Sequence, residues 1–430
     1  MSNSGYLSWI GILRLGLMQM CLGSIVVLTT STLNRLMVVE LALPAILPGL
    51  LVGLHYGVQI TRPHWGVVSD ATGRRTPWII LGMVILAGGA LMAAFCIPLF
   101  EQSFWGALSL SIFAYAAIGL GVGASGTSLL ALLATATAPR RRAAAATITW
   151  LMMIAGIAIT AASVGALLDP YSAARMITIV GLVGLGAVIL TLLAVWRIEV
   201  GVTASPSGQK PKFRDALSEV WADDAARRFT VFVFLSMTAF FMQELILEPY
   251  AGIVFGFTPG QSTSLSGAQN GGVFLGMLSV GIAVTGLKIG SLRGWVILGC
   301  LGSACSLGAI SALGLIGPGA PLVLAVVALG FFNGMFAVAA IGAMMELAGE
   351  DAHGQEGRRM GLWGAAQAIA AGLGGLLGAG FADAFRTVMP DATAFGAVFL
   401  LEAALFVAAA VLAGQVIHET RRETRFVAGE

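Results

Sequence analysis

Residues 53–78 read GLHYGVQITRPHWGVVSDATGRRTPW. The first part is oily enough for a membrane helix, yet it carries His55. The second part is a charged turn in which Asp70 precedes Arg74 and Arg75, with Gly73 between them. A glycine at such a bend permits the positive φ of a tight turn. Asp70 can pair with a nearby arginine or sit on a helix N-terminus across a helix–helix seam. An apolar helix that ends in a basic turn reads as a span leaving the bilayer on its cytoplasmic side.

The whole chain agrees. Of 430 residues, 58% are hydrophobic and only 10% are charged, with a mean hydropathy of +0.92. Soluble domains carry roughly 25% charged residues. Too little polar surface exists to face water, so lipid is the solvent. The 57 glycines favour close helix–helix approach in a bilayer. The net charge of +2 gives no nucleic-acid footprint. Cys21, Cys96, Cys300 and Cys305 lie in apolar runs, form no CxxC, and read as packing residues. The N-terminus has no basic segment and no small-residue cleavage site, so it reads as the uncleaved entry to the first span.

Twelve stretches meet the length of about 20 apolar residues that a span needs. They are 10–33, 43–62, 77–99, 104–134, 143–168, 174–196, 229–250, 266–287, 294–316, 320–347, 360–382 and 393–417. The fold class is an all-α membrane bundle of twelve helices in two six-helix halves. Most of the 23 Lys and Arg fall on one set of connections, which places both termini in the cytoplasm. The polar connection 197–228 divides an N-terminal half, 1–196, from a C-terminal half, 229–417, followed by a tail, 418–430. Its last part, FRDALSEVWADDAARR (213–228), reads as a surface amphipathic helix. The first span ends NRLMVVEL (34–41) and the seventh ends QELILEPY (243–250), a faint echo between the halves.

Span two contains Gly49, Gly53 and Gly57, a stripe suited to a tightly packed neighbour. His55 lies on roughly the other side of that helix, Gln59 one turn below it, and Tyr56 beside it. Three readings stand for His55: a histidine bonded to a facing helix, a proton relay, or an axial ligand to the metal of a tetrapyrrole. Among intramembrane acids, Glu244 and Glu248 are one helical turn apart, which suits a relay; the plainer option is a rim ion pair with Arg35. Glu40 closes the acidic end of span one.

GVVSDATGRR (66–75) is similar to the signature between the second and third helices of the major facilitator superfamily. Gly66, Asp70, Gly73, Arg74 and Arg75 fill its pattern, Gly-x-x-x-Asp-x-x-Gly-Arg-Arg, and form a candidate conformational lock. The chain departs from proton-driven exporters of that superfamily. Tyr115 stands where their fourth helix has arginine, and the fifth helix lacks their Gly-Pro motif, its one proline being Pro170 at the end. Finer still, TLNRLMVVELALPA (32–45) followed by residues 53–78 resembles the PucC-type family of photosynthetic bacteria, a bacteriochlorophyll-delivery family. The resemblance implies a carrier or assembly factor, not an enzyme, in the inner or intracytoplasmic photosynthetic membrane. It implies bacteriochlorophyll or a precursor as cargo, and chlorophyll synthase, antenna apoproteins and the insertion machinery as partners. His55, Tyr56 and Gln59 are then the pigment-contact candidates, with His55 as an axial ligand to the pigment magnesium. From fold alone, the other reading is a proton-coupled transporter of a small solute.

Overall fold

The computed structural model describes residues 6–71, 73–200, 224–349 and 356–417. Among these the chain is helical throughout, with no strand. Helix α1 runs Trp9–Glu40. Helix α2 (46–71) is built from Ile46–Val58, a 3-10 turn Gln59–Thr61 and Arg62–Ala71. Then come α3 (Thr76–Gln102), α4 (Phe104–Ala136), α5 (Arg142–Leu168) and α6 (Ala173–Val195). Helix α7 (224–255) is broken by a 3-10 turn at Gln243–Leu245. Helix α8 starts at Pro259 and winds on as a π-helix to Leu287. Helices α9 (Leu292–Ile316), α10 (Leu322–Gly349), α11 (Glu356–Arg386) and α12 (Asp391–Val416) complete the bundle.

Ten of these helices are long and apolar enough to cross a membrane, counted over the described residues. The apolar part of α2, Ile46–Thr61, is shorter. Side chains of α11 before Ala366 lie outside the described set. Residues 213–223, most of the expected surface helix, also lie outside it; from Asp224 the chain is already the start of α7.

Helix boundaries follow local chemistry. Ser8, Ser103, Ser172, Thr258 and Ser291 each accept a backbone N–H at the start of a helix, satisfying donors that the first turn leaves over. Gly73 takes φ +64 in the turn between α2 and α3, as its place in the motif requires. Three expected edges move. The first span continues to Glu40 rather than ending at 33, because Arg35 finds partners inside the bundle. The second runs to Ala71, so Gly66 to Asp70 are helical and the described turn residues are 73–75. The eighth starts at Pro259 rather than 266, since Thr258 and Gln261 form a capping box and the Ser/Thr-rich first turns are buried.

The buried apolar side chains form two main clusters. One draws on α1 to α6, from Leu7 to Ile198, with Leu245 added; the other draws on α7 to α12, from Phe229 to Ile417, with Ile154 added. Lipid-facing stripes close the outside: Leu182, Leu185, Ile189 and Leu193 recur at helical spacing and are exposed on α6. Two long helix–helix contacts join the clusters, and α1 touches α7 and α8 between them. Helix α5 packs along α8, and α2 packs along α11. The α5–α8 contact is close enough that a Cβ on Gly165 would lie 2.6 Å from the Gly260 carbonyl.

Candidate functional site

Polar residues converge where α1 and α7 depart from regular winding. Helix α1 carries two π-helical segments, Leu28–Thr32 and Leu36–Glu40. Beside them lies the 3-10 break of α7. Irregular winding inside a bilayer is tolerated only where protein or a cavity satisfies the freed backbone groups. Here side chains do so. Asn34 Nδ2 donates to the Leu245 carbonyl, 2.8 Å. Arg35, 2% exposed, forms an ion pair with Glu40 and donates to the Phe257 carbonyl, 2.8 Å. Arg35 is therefore an interior residue, and its ion-pair partner is Glu40 rather than Glu244 or Glu248. The Tyr115 hydroxyl crosses from α4 to the Thr29 carbonyl in the first π segment, 3.0 Å.

The break separates the two acids that an unbroken helix would have set side by side. Glu244 lies in the 3-10 turn and faces Thr30 and Tyr56. Glu248 lies beyond the turn in Leu247–Phe255 and accepts from the Ser266 hydroxyl, 2.5 Å. Ser266 also contacts Ser31 at 3.4 Å, and Thr32 meets Thr263 at 3.2 Å. The acids thus face different neighbours, Glu244 toward α2 and Glu248 toward α8.

His55 is 2% exposed, and its ring meets Tyr56 edge-on at 4.9 Å. Gln59 stands one turn below, as the spacing requires, with its Nε2 3.1 Å from His55 Nε2. Gln59 Oε1 accepts from Arg62, so its amide nitrogen is the donor toward the ring. His55 Nε2 is therefore the acceptor, and the ring proton sits on Nδ1. That Nδ1–H has no partner among the described residues. An axial ligand does not fit this arrangement, because neither ring nitrogen presents a free lone pair. What His55 does offer is an unused donor. The three pigment-contact candidates come together, and Tyr56 links them to Glu244. That link was not legible beforehand, since the partners are nearly 190 residues apart.

The glycine stripe does not pack as a uniform seam. Gly49 meets Ala379 of α11, where a Cβ would lie 3.2 Å away. Gly53 and Gly57 have no described atom within 4 Å of such a Cβ. The close contact of α2 is on its other side, where a Cβ on Gly119 of α4 would fall 2.5 Å from the His55 carbonyl.

In the lock motif, Gly66 is buried, Gly73 makes the turn, and Arg74 is exposed. The Asp70 side chain lies outside the described residues. Arg75 is 7% exposed and donates to the Ala131 carbonyl, 2.6 Å, and to the Thr135 hydroxyl of α4. Its backbone N–H and that of Thr76 point at Glu199, at 2.8 and 3.1 Å. Glu199 is thus an anion on the α3 N-terminus, a favourable site for negative charge. Sequence reading placed Glu199 in the connecting loop and missed it.

At the end of the bundle opposite these arginines, two carboxylates bridge the clusters in the same way. Asp169, closing α5, accepts from Thr258 Oγ1 at 2.6 Å and from the Gly260 N–H at 3.2 Å at the start of α8. Asp383, near the end of α11, accepts from the Ile46 N–H at 2.7 Å at the start of α2. A cavity of about 520 Å³ lies beside the second bridge, lined by Val38, Leu43, Pro44, Ile253, Asp383 and Arg386 among others.

Comparison with known proteins adds the following. A family model described as "PUCC protein" matches residues 32–421. A "Bacteriochlorophyll synthase 44.5 kDa chain" from Rhodobacter capsulatus is 66% identical over 412 residues, 96% of each chain. A "Protein PucC" from Cereibacter sphaeroides is 32% identical over 420 residues, 91% of this chain and 88% of that one. Among solved structures, a D-xylose–proton symporter matches with a TM-score of 0.71 at 15% identity, over 95% of this chain and 98% of the other. A peptide transporter matches at 0.69 and 14%, over 96% and 98%. At such identities the likeness bears on the fold alone, which is of the major facilitator type.

Proposed function

This chain belongs to the PucC family, and on that premise we propose that it binds bacteriochlorophyll or a precursor in the membrane and delivers it to light-harvesting complexes. The observation that carries this reading is the 66% identity, over nearly the full length of both chains, to a protein named a bacteriochlorophyll synthase chain. The chain is read as a carrier rather than a catalyst, the role the family resemblance implies, so "synthase" describes an association. His55, Tyr56 and Gln59 are the pigment contacts, with His55 Nδ1–H as donor to a cargo carbonyl. Because the ring is buried, the cargo reaches it only as the bundle opens.

The architecture that serves this is twelve spans in two six-helix halves, α1–α6 and α7–α12. The halves are residues 1–196 and 229–417, joined by a cytoplasmic loop, 197–228, and followed by a cytoplasmic tail, 418–430. The division into two buried apolar clusters supports it. The membrane is the bacterial inner or intracytoplasmic photosynthetic membrane. Gly66, Asp70, Gly73, Arg74 and Arg75 lock one state of the bundle. Antenna apoproteins, chlorophyll synthase and the insertion machinery are the partners. The test is deletion of the chain from a pigment-making host. Antenna complexes should fall while free pigment synthesis continues; unchanged antenna levels would refute delivery.

The second reading is a proton-coupled transporter of a small solute, favoured by the gathering of Arg35, Glu40, Glu244 and Glu248 at the α1–α7 junction, of which Arg35 and Glu248 are buried. It predicts solute-stimulated proton flux in proteoliposomes that Glu244→Gln abolishes.

A further inference from the structure

The junction of α1, α7 and α8 holds more acceptors than donors. Glu248 is 1% exposed, with Oε1 bonded to Ser266 and Oε2 without a partner. Asn34 Oδ1 and Gln243 Oε1, on residues 1% and 2% exposed, are also without partners. Among the described residues, the one buried spare donor at the junction is Arg35 Nε. Charge shows the same imbalance. The single cation, Arg35, is already paired with Glu40, while Glu244 and Glu248 add two more carboxylates. An unpaired charge and a lone acceptor are both costly to take out of water. One additional proton evens the count of donors and acceptors and halves the excess of negative charge.

We infer that this junction is a proton-binding site, with Glu248 Oε2 as the acceptor. A proton from water adds to Oε2, and no other bond breaks. The carboxylate charge is lost, and the new O–H adds a donor to a junction short of them. The site lies where α1 is π-wound and α7 is interrupted, the kind of discontinuous helix that places coupling-ion sites in transporters. Ser266 of α8 and Ser31 of α1 bond across the same point, so the charge on Glu248 sets how firmly α8 holds to α1. A sodium ion is disfavoured by the guanidinium of Arg35 nearby. The charged groups facing the site are Arg35 and Glu40 from α1 and Glu244 from α7; residues 259–281 of α8 contain none. This inference is independent of the cargo, so it survives a colourless preparation and can fail in a pigmented one.

The experiment uses the full chain in nanodiscs, with Cys305→Ser and spin labels at Glu101→Cys and Val388→Cys. These exposed positions are at the end opposite the arginines, one in each half. The distance distribution should shift with pH in the otherwise native chain. Glu248→Gln should remove the shift, while Glu244→Gln should keep it. Ser266→Ala, which preserves the carboxylate but removes its hydrogen bond, should move the midpoint. Replacing sodium with choline should change nothing. A Glu248→Gln chain that titrates like the native one, a native distribution indifferent to pH, or a sodium-dependent shift would each overturn the proposal.

Discussion

Asp169 and Asp383 make a quantitative prediction about which end of the bundle is closed. Each carboxylate lies at the end of one helix and bonds the first turn of a helix from the other cluster, Gly260 and Thr258 in one case and Ile46 in the other. The α2 N-terminus has no side-chain cap of its own, so Asp383 supplies the partner it lacks. Losing a side-chain cap costs typically about 1 kcal/mol. Asp169→Ala or Asp383→Ala should therefore raise the population open at this end about 5-fold, since about 1.4 kcal/mol is a factor of ten. The two bridges belong to different seams, α5–α8 and α2–α11, so their effects should add, giving about 30-fold for the double variant. The assay is the labelling rate of Ala45→Cys by a water-soluble thiol reagent. Ala45 is 1% exposed and packs with Val38 and Ala379 behind the Asp383 bridge. Asp169→Ala is the cleaner test, because it acts from the other seam. A double variant labelled within 2-fold of the native rate, on the order of less than half a kcal/mol, would refute the assignment of these carboxylates as bridges that hold this end shut.

Other positions give sharper local tests. Gly119→Ala places a Cβ about 2.5 Å from the His55 carbonyl and must push α2 off α4; the cost should be about 1–3 kcal/mol, read as a lower thermal midpoint in detergent. Glu199→Ala removes the acceptor for the Arg75 and Thr76 amides and should destabilise by about 1 kcal/mol, checked by thermal unfolding, with Glu199→Asp milder. Gly73→Ala, at φ +64, should cost about 1–2 kcal/mol from backbone strain, with open space around it ruling out a clash.

The parts of this structure legible in sequence are those set by short-range rules. Hydropathy located the helices, the motif spacing foretold the positive φ at Gly73, and the four-residue step put Gln59 under His55. What the sequence hid are cases where a distant partner overrides local preference. Arg35 reads as the start of a loop until Glu40 and the Phe257 carbonyl are seen to satisfy it inside the bundle. The Ser/Thr-rich start of α8 reads as polar until α5 covers it. Glu244 and Glu248 look like one face of one helix until the 3-10 turn between them sends them to different neighbours. Gly53 and Gly57 look like a packing seam because small residues permit close approach; permission is not contact, and only Gly49 uses it.

The account stands most directly on the absorption spectrum of the native chain, isolated in mild detergent from pigment-making cells. It predicts bacteriochlorophyll or a precursor at fixed stoichiometry, reduced in a His55→Ala preparation that remains folded. A folded, monodisperse native protein with no pigment absorbance would contradict it.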